Sequence, residues 1–279
     1  RGNGVGSWLS SRSSYRVDVL ASVPRGRTIL GERAPIQRAA AIVGGCVLAT
    51  LMMACGASSR PGPADPRAIT DVSHVLTIGD SQTVGAWLDD PDRESWPAQL
   101  EDLWCPGTTC VTNIAIGGQP IGTTSPTGPP PLLDTLDEQL ANIDEADTAV
   151  VLIGQLDLVS TDDTDQILDW YAELEQRLTS FGIDNVYFAT LLPFDTEAYP
   201  NPEWIPQLEV RRSAINAGLR AGWGPKGQVV ELDGVLTEPG SDEFRPDLST
   251  KDGNHLSVEG SLIVASEVES HLRESMNLD

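Results

Sequence analysis

Val75-Leu76-Thr77-Ile78-Gly79-Asp80-Ser81 runs four apolar or β-favouring residues straight into a glycine, an acid and a serine. That pattern predicts a buried strand ending at a sharp turn into a helix. In open α/β sheets, ligands bind at the carboxyl edge of the strands, and this is where the Ser81 hydroxyl is expected. Two readings of Ser81 stand side by side: a helix N-cap, the common role of serine after a strand, and a nucleophile. The second needs a base, and Asp252-Gly253-Asn254-His255 offers one. The chain has three histidines, and only His255 sits in a turn-rich loop with an acid three positions before it. A serine hydroxyl needs a base to take its proton, and the base needs a group that fixes its tautomer and stabilises the imidazolium. Ser81, His255 and Asp252 match those three roles.

Working outward, apolar runs at 111–116, 148–153, 185–191 and 228–232 join 75–79 as strands. Helical spacing marks 96–103, 132–143, 208–221 and 256–276, with a further helix opening in the acids of 161–165 and running to about residue 180. Residues 148–153 are unbroken apolar, as expected of a parallel strand covered on both faces. Strands alternating with helices predict an α/β fold, a three-layer α/β/α sandwich around a five-stranded parallel sheet. The acids at 161–165 are explained by capping and the helix dipole. In the loop at 193–206, Phe194, Tyr199 and Trp204 either line a pocket or pin the loop.

These blocks resemble the SGNH or GDSL-type serine hydrolases. Gly79-Asp80-Ser81 looks like the nucleophile block, Asp252-Gly253-Asn254-His255-Leu256 like the D-x-x-H block, and Asn113-Ile114-Ala115-Ile116-Gly117-Gly118 is similar to the second block. The resemblance spans roughly residues 73–272. It implies a flavodoxin-like sheet, a Ser81–His255–Asp252 triad, and an oxyanion hole containing the Ser81 and Gly118 N–H groups. The third block departs from the pattern: where the family has G-x-N-D, this chain has Gly154-Gln155-Leu156-Asp157. Leucine cannot donate a hydrogen bond, and losing one oxyanion donor typically costs on the order of 100- to 1000-fold in rate. Gln155 either supplies the missing donor from one residue away or caps the strand end.

The implied activity is serine-dependent hydrolysis of carboxylic esters, with acetylated sugars, lipids or small acyl esters as substrates. The alternatives are a non-catalytic glycan- or lipid-binding lipoprotein of the same fold and an O-acyltransferase. No H-E-x-x-H or Cys/His cluster appears, so neither a metal nor another cofactor is expected. Gly222 to Gly227 fits G-x-G-x-x-G formally, but it follows a helix and precedes a strand, the reverse of the dinucleotide-binding context. The absence of G-x-S-x-G argues against an α/β-hydrolase elbow.

Charge is divided unevenly. Of 18 basic and 41 acidic residues, residues 1–54 hold seven arginines and two acids, which leaves 11 basic against 39 acidic residues in the remainder. A surface this negative repels phosphate backbones, so nucleic acid is excluded as a partner; a monomer is expected. Residues 39–54 are an uncharged run of 16 preceded by Arg33 and Arg38. That is short for a membrane span and suits a secretory h-region, so 1–54 is read as a leader, with no structure assigned to 1–38. Leu51-Met52-Met53-Ala54-Cys55 resembles a bacterial lipobox, which implies lipidation of Cys55; an ordinary cysteine is the other reading. Residues 55–72 form a small-residue and Pro-rich tether, and 73–279 the hydrolase domain. The expected location is the cell envelope or the exterior, with the membrane touched only through the lipid. Cys105 and Cys110 frame a turn-like Pro-Gly-Thr-Thr and are expected to form a disulfide.

Overall fold

The structure, a computed structural model, describes residues 74–143, 146–222, 228–241 and 243–278. The leader, the tether and Cys55 lie outside the described residues. β1 (Val75–Gly79) leads into α1 (Ser81–Val84), α2 (Pro91–Glu94) and α3 (Trp96–Trp104). β2 (Val111–Asn113) is followed by a long loop and α4 (Leu132–Leu140), and β3 (Thr148–Leu152) by α5 (Gln155–Ser160) and α6 (Thr164–Phe181). β4 (Asn185–Ala189) precedes α7 (Ile205–Arg220), and β5 (Gln228–Val230) precedes α8 (Asp233–Leu236) and α9 (Val258–Met276).

All strand pairings are parallel, in the order β2-β1-β3-β4-β5. The period-2 alternation of strands sends successive residues to opposite faces. Leu76, Ile78, Ala149, Val151 and Phe188 pack with α4, α5, α6 and α7. Val75, Val150, Leu152, Tyr187 and Val230 pack with α3, α8 and α9. The expected three layers result. In this strand order the chain reverses direction between β1 and β3, and the crevice at that switch point is where such sheets bind ligands. Ser81 follows β1 and Gln155 follows β3, so both flank the crevice.

β2 is shorter than the expected 111–116. Ile114 N–H still donates to Thr77 O and Ile116 N–H to Gly79 O, at 3.0 and 3.2 Å, so the pairing with β1 continues past the strand's end, while the Asn113 side chain accepts from the intervening Ala115 N–H at 3.0 Å. The acids of 161–165 act as a cap: Asp163 accepts from Gln166 N–H at 3.0 Å. Phe194 is buried and meets Tyr199 edge-on at 5.3 Å, and Tyr199 and Trp204 pack on the same core, so these aromatics pin their loop. His74 bonds Thr112 Oγ1 at 2.8 Å at the start of the sheet, and His271 lies edge-on to Tyr187.

Cys105, just past α3, is disulfide-bonded to Cys110, just before β2, with Cα atoms 6.3 Å apart. Both are buried, and Cys110 O accepts from Val75 N–H, so the bridge holds the edge strand's entry against β1. Closing so short a loop is worth about 2 kcal/mol in chain entropy. Replacing both cysteines by alanine is therefore expected to lower the thermal midpoint by roughly 4–8 °C; calorimetry showing an unchanged midpoint would contradict this role.

Candidate active site

Gly79 is what lets β1 end abruptly. A Cβ there would lie 2.0 Å from Thr83 Oγ1 and 2.5 Å from Leu152 O, so only glycine allows α1 to fold back so close to β3. Asp80 caps α1, its carboxylate accepting from Gln82 N–H at 3.0 Å, and Ser81 becomes the first helical residue. The cap role thus falls to Asp80 and leaves the Ser81 hydroxyl for another partner. That partner is His255, whose Nε2 lies 2.8 Å from Ser81 Oγ. His255 Nδ1 in turn lies 2.6 Å from Asp252 Oδ2. The structure therefore brings together residues that the chain separates by 174 positions.

With Nδ1 protonated toward the carboxylate, Nε2 is free to accept the serine proton. Asp252 is itself fixed: its Oδ1 accepts from Thr250 Oγ1 at 2.7 Å and from the Asn254 and His255 N–H groups at 3.0 Å. Burial works to raise the Asp252 pKa, but the hydrogen bond and charge of His255, with Thr250, outweigh it and hold the carboxyl well below the usual carboxylate range. The group stays anionic and can stabilise an imidazolium.

The loop that carries this pair is tied down from two sides. Asp195 N–H donates to Gly253 O at 2.9 Å, and the buried Asp195 carboxylate accepts from Glu197 N–H, Ala198 N–H and Ser249 Oγ. From the other side, Gln82 Nε2 donates to Asn254 O and, at 2.8 Å, to Gln155 Oε1.

That last bond decides the place of Gln155. Its own Nε2 donates to Leu192 O at 3.1 Å and the residue is buried. Of the two expected roles the structure shows the strand-end one: the Gln155 amide bridges Gln82 to the loop after β4. The physical reason is that the chain turns at Gly154, with φ 123°, before residue 155, which directs the side chain into the protein. Leu156 is half-buried and carries no donor. Among the described residues, neither the Ser81 nor the Gly118 N–H donates to a protein acceptor, and both are free for an oxyanion. Gly118 has φ 79°, and its loop is anchored to α1 by Asn113 Nδ2 donating to Thr83 O at 3.3 Å.

Reading the sequence alone misses several supports. Asp157 is wholly buried, accepting from the Ile121, Gly122 and Thr123 N–H groups and from Thr123 Oγ1, and so anchors the loop after Gly118. Its pKa is raised, burial outweighing those bonds. The other omission is Trp87. It is 70% exposed, its ring centroid is 6.4 Å from that of His255 with the planes at 51°, and its φ is 74°. A large non-glycine residue in this region costs about 1–2 kcal/mol. A separate groove of about 750 Å³ passes Asp137, Leu140, Asp169, Glu173 and Phe181 between α4 and α6, and no triad residue lines it. Among the described residues, no group of three or more His, Cys, Asp or Glu is placed to hold a metal ion.

Neither a protein-family model nor a curated protein sequence matches the chain. Solved structures do. A carbohydrate acetylesterase, Est24, from Sinorhizobium meliloti superposes with a TM-score of 0.58 at 15% identity, over 72% of this chain and 98% of that one. A lipase/acylhydrolase from Enterococcus faecalis gives 0.53 at 19%, over 72% and 96%. A GDSL-like lipase from Bacteroides thetaiotaomicron gives 0.54 at 17%, over 74% and 91%. The fold is that of the GDSL-type hydrolases. In this GDSL-type fold the pairing of β1 with β2 and β3 brings the Ser81 turn and the Gly118 loop to one edge.

Asp80 offers a test of the site's electrostatics. Burial pushes its pKa up from 3.8 to about 6, against the lowering effect of the Gln82 N–H and the His255 charge. A carboxyl with a folded pKa above its unfolded value is stabilised in its protonated form. Its contribution is complete below pH 4 and is lost as pH rises through about 6. Asparagine keeps the cap without the buried charge. Denaturant unfolding should therefore show Asp80→Asn gaining stability relative to the parent between pH 4 and 7, by about 3 kcal/mol at most; a difference that does not change with pH would contradict the assignment.

Proposed function

We propose that this chain is a carboxylic ester hydrolase that works through Ser81, His255 and Asp252. The observation that carries the reading is the continuous hydrogen-bonded chain from Asp252 through His255 to Ser81 Oγ, beside two uncommitted backbone N–H groups.

In the proposed reaction Ser81 Oγ attacks the ester carbonyl carbon as His255 Nε2 takes the hydroxyl proton. The carbonyl oxygen becomes an oxyanion that accepts from the Ser81 and Gly118 N–H groups. The carbon–oxygen bond to the alcohol then breaks, His255 returns the proton to the departing oxygen, and an acyl-Ser81 remains. Water attacks that acyl carbon with the same imidazole as base, releasing the acid and restoring the serine. With leucine at 156 the hole rests on two donors, and a third typically contributes on the order of 100- to 1000-fold. A modest turnover is expected on that ground. Acetylated sugars, lipids and small acyl esters all fit this chemistry.

We further propose that the protein is exported and held at the envelope by lipid on Cys55. The uncharged run at 39–54 and the lipobox-like 51–55 support this, and so does the Cys105–Cys110 disulfide, a bond that persists in oxidising compartments.

Ser81→Ala is expected to reduce hydrolysis of short p-nitrophenyl esters by on the order of 10⁴-fold or more while leaving the thermal midpoint near that of the parent. Undiminished hydrolysis in the purified variant would refute the mechanism. For the anchor, mass spectrometry of membrane-extracted protein should find an N-terminal diacylated Cys55; an unmodified Cys55 still joined to Ala54 would exclude it.

A further inference from the structure

The imidazole that protonates a departing alcohol must sit on the alcohol's side of the scissile bond. A side chain beside His255 therefore borders the leaving group, while the Ser81 and Gly118 N–H groups border the acyl oxygen. Trp87 is the residue beside His255, with 6.4 Å between ring centroids. Two features set it apart from an ordinary surface tryptophan. It is 70% exposed, so it contributes little to the core, and its backbone holds the left-handed conformation at φ 74°. The turn that imposes this is short: Ala86 N–H donates to Ser81 O and Leu88 N–H to Gly85 O. The turn thus sets the backbone of Trp87 six residues from the serine, and its indole lies beside the base.

The surroundings narrow what the indole meets. Asp89 and Asp90 follow it in an exposed turn, and among the described residues neither carboxylate is engaged. Free carboxylates accept hydrogen bonds from hydroxyls and repel phosphate, so a phospholipid headgroup is disfavoured here and by the chain's net charge of −23. A cationic alcohol would be attracted by the charge, but a single open aromatic face holds a cation weakly unless water is excluded. A pyranose suits both features, since its flat C–H face covers an indole and its hydroxyls are donors to open carboxylates such as those carried by the same turn.

We propose that the alcohol part of the substrate is a carbohydrate, stacked on Trp87 at the side of His255 from which its oxygen is protonated. This rests on the esterase reading above. In the step concerned, the acyl–oxygen bond breaks, the electron pair stays with the sugar oxygen, and the His255 proton joins it, leaving a free sugar hydroxyl and acyl-Ser81.

The test measures acetate release from a mono-O-acetylated methyl pyranoside, from acetylcholine and from ethyl acetate, for the parent protein, Trp87→Ala and Trp87→Phe. The parent is expected to favour the pyranoside acetate over both other esters in kcat/KM. Trp87→Ala should lower kcat/KM for the pyranoside acetate about tenfold more than for ethyl acetate, chiefly through KM, and Trp87→Phe should recover most of that difference. Equal losses on the two esters in Trp87→Ala would overturn the proposal, as would a parent preference for acetylcholine. A parent that turns over ethyl acetate without favouring the pyranoside removes only this inference. A parent that hydrolyses short p-nitrophenyl esters but none of the three likewise overturns this inference alone, and one that hydrolyses neither set removes the esterase reading as well.

Discussion

The hydrogen bond between His255 Nε2 and Ser81 Oγ is the constraint on which the rest of the site depends. It joins the turn after the first strand to a loop just before the last helix, and neither end positions itself. Gly79 lets α1 turn back against β3, Asp80 takes the cap position, and Ser81 is left with an uncapped hydroxyl. At the other end, Asp252 organises the His255 turn through backbone and side-chain bonds, while Asp195 and Gln82 hold that turn from opposite sides.

Buried carboxylates do much of this positioning. Asp80, Asp157 and Asp195 are buried, and each accepts from backbone N–H groups of the segment it holds. A buried acceptor that meets several donors fixes a loop in one arrangement, because any shift leaves polar groups unpaired at a cost of about 1–3 kcal/mol each. The sign of the effect differs between sites. Burial leaves Asp80 and Asp157 with raised pKa values, whereas His255 keeps Asp252 anionic. The acid whose pKa is lowered is the one hydrogen-bonded to the imidazole.

Much of this was legible in the chain. The apolar runs of β1 and β3 have no polar alternative, so their parallel, twice-covered placement followed from composition, and the spacing of Asp252 and His255 anticipated the hydrogen bond between their side chains. Gln155 was not legible, because its direction depends on the turn at Gly154 and on Gln82 and Leu192, partners that no local pattern supplies. α1, α2 and α8 have four residues each, too short for helical periodicity to register. β2 is shorter than its apolar run although Ile114 and Ile116 still donate to β1; at this sheet edge the Ala115 N–H, which faces away from β1, is taken by the Asn113 side chain. Trp87 lay in no motif, and its left-handed backbone appears only in three dimensions.

Active-site labelling tests the activated serine without assuming a substrate. Incubation with a fluorophosphonate, followed by peptide mapping, should find a single adduct on Ser81 in the parent protein and none in His255→Ala. An unlabelled parent protein, or labelling of Ser81 that survives loss of His255, would contradict a serine activated by the imidazole.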